Sequence, residues 1–288
     1  MPPNAVDIVF RTKERGRWKV SSSTELGNNE GTANANVTIR NVFGGAETLT
    51  GSVSLGTKTK RSFSAGLSIP VGSELQSTAH LSLYGLERDQ TSYASCFEGL
   101  RGFRATLKGS ADKGGVHEMG YEATFRHIRS LTPTASLTMR AAAGETLKSS
   151  IFHSWAFDSR DDKVTATRGH YLKLYHEFAG LGGDASFYKT EVEGQISRPL
   201  AWGGAKNITQ VGQAVGQPEG SGGVSVSFGA KGGLLLGLNK PLLFSDKFQL
   251  GGPTSVRSYK VNGLGPHDGG RLITTFLKDH FMLTPRLS

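Results

Sequence analysis

Polar and apolar residues alternate along most of this chain with a period of two. Trp18, Val20, Ser22, Thr24 and Leu26 alternate with Lys19, Ser21, Ser23 and Glu25. Ala33, Ala35, Val37 and Ile39 alternate with Asn34, Asn36, Thr38 and Arg40, and Leu49, Gly51, Val53 and Leu55 with Thr50, Ser52 and Ser54. The same beat carries Phe63, Ala65, Leu67 and Ile69, then Ala79, Leu81 and Leu83, then Phe103, Ala105 and Leu107, then Met119, Tyr121, Ala123 and Phe125. Such alternation predicts strands with one apolar and one polar face. Less regular strands are predicted over 148–158, 170–180, 185–197 and 223–238, which brings the count to about eleven between residues 17 and 238. In 185–197, Lys189, Glu191, Glu193 and Gln195 share one side. Residues 128–147 hold a short helix-compatible run, SLTMRAAAG, and 203–222 are rich in Gly, Gln and Ser. Residues 239–270 read as a long Gly/Pro-rich loop, a length that is usually functional or disordered. Beyond it, Ile273, Phe276, Leu277 and Phe281 have helix-like spacing.

Alternation alone fits either a two-sheet sandwich or a transmembrane barrel. Two details favour the barrel: a polar face rich in Ser, Thr, Asn and mixed charge, as a wet lumen requires, and an apolar face with many Gly and Ala. Composition sharpens the choice. The chain has 288 residues, 39 of them glycine, and a mean hydropathy of −0.29. No stretch approaches the roughly 20 apolar residues of a membrane-spanning helix, which excludes a helical membrane protein and leaves a barrel open. The net charge of +9 suits anionic lipid, a wet lumen or nucleic acid. No Lys/Arg run exceeds two residues, so nucleic acid is not expected as a partner. Cys96 stands alone, which excludes a disulfide framework and a thiolate-rich metal site. The N-terminus, MPPNAVDIVFRTKERG, has neither the layout of a secretory signal nor that of a transit peptide.

Candidate chemistry is sparse. Asp158, Arg160, Asp161 and Asp162 cluster in a turn that reads as solvated rather than as a cation site. Gly180, Gly182 and Gly183 lack the Lys-Ser/Thr of a phosphate loop and read as turn glycines. His80, His117, His127, His153, His170 and His176 show no ligand spacing. Asn36 and Asn207 begin glycosylation sequons by spelling, the first inside a strand. No catalytic residue, metal or cofactor is expected.

The segments VDIVFRTKERGRW, TELGNNEG, NVFGGAETLTGSVSLGT, KSSIFHSWAFDSRDD, HEFAGLGGD and FQLGGPTSVRSYKVNGLGP follow one another in an order that resembles the outer-membrane assembly-factor (bacterial surface antigen) superfamily. Within it the chain is most similar to barrel subunits of the mitochondrial sorting and assembly machinery. The resemblance implies a sixteen-stranded antiparallel transmembrane β-barrel after one or more soluble POTRA domains. Residues 1–15 would then be the end of a POTRA domain, 16–270 an incomplete barrel of about eleven strands, and 271–288 an atypical tail. On this reading the chain is truncated at both ends.

The resemblance also implies a function without covalent catalysis: insertion and assembly of β-barrel precursors into the mitochondrial outer membrane through a lateral gate. The gate strand would be Trp18, Lys19, Val20, Ser21, Ser22, Ser23, Thr24 and Glu25. The lumenal signature loop would comprise Leu250, Gly251, Gly252, Val256, Arg257, Ser258, Tyr259 and Gly265, with Arg257 anchoring it to the barrel wall and Tyr259 packed beside it. Ser258 replaces the family's glycine, which predicts a strained or shifted loop tip. Implied partners are β-barrel precursors, peripheral subunits of the machinery, inner-membrane contact-site proteins and outer-membrane lipid. The alternatives are a passive porin-like channel, a bacterial or plastid relative, and a soluble β-sandwich binding module.

Overall fold

The computed structural model describes residues 11, 16–27, 30–57, 59–72, 77–111, 114–200, 224–252, 256, 258–260, 262–264, 267–268, 271–272 and 279–287. The segment expected to end a POTRA domain lies almost wholly outside them.

The alternating segments become strands β1 (Trp18–Gly27), β2 (Glu30–Arg40), β3 (Thr48–Gly56), β4 (Thr59–Val71), β5 (Ser77–Asp89), β6 (Phe97–Ala111) and β7 (Gly115–Arg129). They continue as β8 (Gly144–Asp158), β9 (Gly169–Gly183), β10 (Phe187–Leu200) and β11 (Val224–Gly237). The helix-compatible run forms one short helix, α1 (Leu137–Ala141), capped by the Ser136 hydroxyl. A two-residue hairpin, β12 (His267–Asp268) and β13 (Arg271–Leu272), precedes β14 (Asp279–Leu287).

The main sheet has twelve strands, each antiparallel to its neighbours, in the order β1 to β11 and then β14. The eleven strands expected between residues 17 and 238 are all present as β1 to β11. One expectation is corrected: in the tail, where the spacing reads as helix-like, residues 279–287 add a twelfth strand. β14 pairs with β11 from Asp279↔Leu236 to Leu287↔Phe228, so Phe281 lies in a strand, while Ile273, Phe276 and Leu277 fall outside the described residues. Four apolar residues within nine positions are too few to fix a period, and the backbone donors and acceptors on the edge of β11 give the tail a pairing partner. Gly180, Gly182 and Gly183, expected in a turn, end β9 next to the register shift between Lys148 and Ser150.

The sheet has two chemically distinct faces. Val53, Phe63, Leu83, Met119, Ile151 and Phe228, on six strands between β3 and β11, all stand exposed on one of them. A continuous apolar surface of this extent is untenable in water and is what a lipid-facing wall requires. The other face is polar. From β2 to β4 it carries Asn34, Asn36, Ser52 and Ser64, with Ser52 and Ser64 Oγ atoms 2.7 Å apart. From β6 to β11 it carries charge: Lys148 bonds Glu177 at 2.7 Å and lies 3.6 Å from Glu122, and Glu191 takes Lys189 at 3.2 Å and Lys231 at 3.4 Å. Both faces follow the alternation read in the sequence.

Antiparallel order also sorts the connections between two ends. The end at which β1 begins, the near end, holds the β2/β3 turn (41–47) and the β8/β9 loop (159–168). The far end holds the β5/β6 turn (90–96), the β7/β8 segment with α1 (130–143) and the long connection that follows Gly237.

Candidate functional site

The long connection folds back onto the polar face. Leu242, Leu243 and Phe248 pack against Ala179, Ala185, Phe187 and Leu235 at the far end of β9 to β11. Phe248 covers Gly233 and lies 4.6 Å below the Lys189 ammonium. Phe244 enters a second cluster with Ala94, Cys96, Ile128, Ala135 and Met139, formed by the β5/β6 turn, the end of β7 and α1. Between these two apolar contacts the 3-10 turn Phe244–Asp246 presents polar side chains to the wall. Arg126 Nη2 of β7 donates to Asp246 Oδ1 at 2.7 Å, and both side chains are buried, at 7% and 2% exposure. The Ser245 hydroxyl donates to the Glu98 carboxylate of β6. The loop is therefore latched at its base, 120 residues from its partner in sequence.

Further along, Leu250 and Leu264 form a β-bridge that closes the loop on itself. Asn262 Nδ2 donates to Gln249 Oε1 at 2.7 Å and also bonds Tyr93 of the β5/β6 turn. Burial, opposed by that bond, pushes the Tyr93 hydroxyl up to about 12. Of the signature residues, Leu250, Gly251 and Gly252 lie at this bridge, with both glycines buried. Gly251 has φ +120°, and a Cβ there would overlap the Lys260 carbonyl oxygen. Gly251→Ala is expected to cost about 1–3 kcal/mol of local stability, read as faster proteolysis between residues 250 and 264.

Val256, Ser258 and Tyr259 follow, with Val256 O accepting from Gly252 N and Tyr259 N at 3.1 Å each. Among the described residues of this stretch the left-handed positions are Gly251, Gly252 and Asn262. Tyr259 is exposed. Arg257 and Gly265 lie outside the described residues.

Cys96 sits behind the latch, wholly buried, with its thiol 3.8 Å from Gln90 Oε1. Burial, with Glu98 and Asp89 nearby, raises its pKa to about 12. The thiol therefore stays protonated from pH 5 to pH 9, and maleimide is expected to leave Cys96 unmodified in the folded protein throughout that range and to react with it after denaturation.

At the other side of the sheet, β1 pairs with β2 over ten residues, Trp18↔Ile39 through Gly27↔Glu30. Its other edge has no strand partner among the described residues, nor does the outer edge of β14. Trp18, Val20 and Leu26 are 68%, 72% and 87% exposed. Ser21, Ser22, Ser23 and Thr24 present hydroxyls on both faces, so little side-chain packing fixes the register of this strand. The structure does not bring β1 and the loop together: the latch lies on β6 and β7, five strands away.

Sequence reasoning missed Arg126, Asp246, Glu98 and Ser245. Arg126 and Glu98 occupy polar positions of their strands, and alternation marks such residues as inward-facing. Asp246, inside the Gly/Pro-rich loop, carried no signal.

An antiparallel sheet with a lipid-facing apolar side, a polar inner side and a loop folded onto that inner side defines an outer-membrane β-barrel domain. The chain belongs to the Omp85 superfamily, whose domain matches residues 41–277. It is 34% identical over 92% of its length to a SAM50-like protein of Schizosaccharomyces pombe, and 32% identical over 93% to a sorting and assembly machinery component 50 homolog of Homo sapiens. In both cases the match covers 53% of the relative, so the chain spans about half the length of the curated relatives it matches. Its fold is that of a crystal structure of BamA from Haemophilus ducreyi lacking POTRA domains 1–3, with a TM-score of 0.68 at 15% identity, covering 88% of this chain and 48% of that one.

Proposed function

We propose that this chain supplies barrel strands of an insertase that assembles β-barrel precursors in the mitochondrial outer membrane. The observation that carries this reading is the likeness to SAM50 relatives along more than nine-tenths of the chain. The edge of β1 that has no strand partner among the described residues gives it a mechanism. A precursor strand entering lipid must satisfy its backbone groups, and each unsatisfied one costs several kcal/mol. Pairing with the exposed edge of β1 supplies those bonds by β-augmentation. The hydroxyl-rich side chains at 21–24 let the strand exchange partners without breaking a packed interface. The long loop is latched at its base by Arg126 and Asp246, and in this reading the role of wall anchor falls to Arg257, with Tyr259 as its neighbour. No step requires covalent chemistry. Precursors arrive from the intermembrane space, and the peripheral subunits of the machinery and inner-membrane contact-site proteins are the expected neighbours.

The test is cross-linking in mitochondria whose only copy of the protein carries Ser21→Cys or Ser23→Cys. A porin-like precursor with a cysteine in its last strand is expected to form a disulfide with β1 during assembly. Normal assembly after depletion of the protein, with no such cross-link, would overturn the reading.

A further inference from the structure

The β8/β9 loop at the near end also turns inward. Arg160 donates to both Asp158 oxygens, at 2.9 and 2.8 Å, and Nη1 donates to Gln195 Oε1 at 2.8 Å. Its guanidinium lies 4.7 Å from the centre of the Tyr171 ring. Gln195 and Tyr171 face each other across β9 and β10 on the inner, charged face. Six residues later Ala166 is only 5% exposed, and its carbonyl accepts from Ser227 Oγ of β11 at 3.3 Å. Ser227 Oγ in turn lies 2.8 Å from Ser197 Oγ of β10, and both serines are buried. A loop that leaves β8 thus reaches β11 and passes the ends of two intervening strands, a span of about 14 Å at the usual strand spacing.

The loop is braced from within. Asp161 Oδ1 accepts from the backbone N–H groups of Asp162 and Thr167 at 3.0 Å and of Arg168 at 3.2 Å, and its carboxylate takes the Thr167 hydroxyl. Asp162 Oδ1 accepts from the N–H groups of Val164 at 2.6 Å and Thr165 at 2.7 Å. The loop closes at Gly169, where φ is +104° and a Cβ would overlap the Ser159 carbonyl oxygen. These bonds make it a pre-shaped element. Its contacts at Gln195 and Ser227 lie next, on the near-end side, to the cross-strand row Lys173, Glu193 and Lys231, which with Glu191 lines a cavity of about 290 Å³ on the inner wall.

We propose that residues 159–168 form a fixed shelf at the near-end mouth of the lumen, which sets the size of what reaches the charged inner wall of β9 to β11. Arg160 and Ser227 hold the shelf in place. The inference rests on the inner-face geometry alone and stands or falls independently of the insertase reading.

The test uses the natural protein in its membrane, with Cys96→Ser to remove the native thiol and Glu193→Cys as the inner-wall reporter. Labelling is followed with a small maleimide and with a polyethylene-glycol maleimide. Arg160→Ala/Ser227→Ala is expected to speed the large reagent about tenfold, the effect of losing one or two net hydrogen bonds on a local opening equilibrium. The small reagent is expected to keep its rate. Ser227→Thr, which retains the hydroxyl, is expected to leave both rates as in the parent, and Ile196→Cys on the lipid face controls for misfolding. Unchanged rates for the large reagent in the double variant and in Ser227→Ala alone would overturn the proposal. So would an equal acceleration of both reagents, because the barrier would then not discriminate by size.

Discussion

Arg126→Ala is expected to release the base of the long loop and to cost about 3–5 kcal/mol, the penalty for leaving one member of a buried ion pair without its partner. Asp246 would be left without its guanidinium partner in a site where its side chain is 2% exposed. Asp246→Asn is expected to behave in the same way from the other side, because the guanidinium of Arg126 stays buried. The two changes share one interaction, so Arg126→Ala/Asp246→Ala is expected to cost less than the sum of the single variants. Arg126→Met/Asp246→Leu, which fills the space with apolar atoms, is expected to lie close to the parent. The measurement is limited proteolysis of the membrane-embedded protein, with cleavage between residues 244 and 264 as the readout. If the latch positions the signature loop, precursor assembly falls with loop protection in the single variants and returns with it in the Met/Leu pair. A single variant that leaves the loop protected would show that the two apolar contacts, Phe244 and Phe248, hold it without the ion pair.

The latch also shows which parts of this protein are legible from sequence. Strand alternation is a local property: each strand states its own two faces, and neighbouring strands joined by short turns have little choice of partner. The inner placement of Lys189, Glu191 and Glu193 could be read directly for that reason. The Arg126–Asp246 contact joins a strand to a loop across 120 residues, and nothing near Asp246 distinguishes it from a solvated loop acid. The inward contacts of the β8/β9 loop were not legible for a related reason. Asp161 and Asp162 look solvated in sequence, and their carboxylates are indeed exposed. The informative atoms are the Ala166 carbonyl and the Ser227 hydroxyl, which meet only after β8 to β11 have assembled. At the C-terminus one residue of the apolar set with helix-like spacing, Phe281, lies in a strand paired to the edge of β11, a partner that no local period announces.

Adjacent positions in β4 test the assignment of the two faces to lipid and lumen. Ala65 and Ser64 lie near the centre of the thirteen-residue strand, at nearly equal depth, and point to opposite sides. Ala65 shares its face with Phe63 and Leu67, whereas Ser64 meets Ser52 across the strand pair at 2.7 Å. Ala65→Arg is expected to destabilise the folded barrel by about 2–4 kcal/mol, the cost of an arginine on the lipid face near the bilayer midplane. Ser64→Arg places the same charge against a wet, uncharged wall of Ser, Thr and Asn, where solvation and the length of the side chain let the guanidinium stay hydrated. Its cost is expected to be no more than the hydroxyl contact it removes, about 0.5–1.5 kcal/mol. Folding into lipid vesicles at increasing urea, followed by the mobility difference between folded and unfolded protein on unheated gels, measures both. The reverse order, with Ser64→Arg the more damaging, would invert the faces of the sheet, and with them the placement of the loop and the shelf inside a lumen. Equal and small effects would mean that neither side meets hydrocarbon at this depth, which the row of exposed Phe63, Leu83, Met119 and Ile151 makes untenable in a membrane-embedded protein.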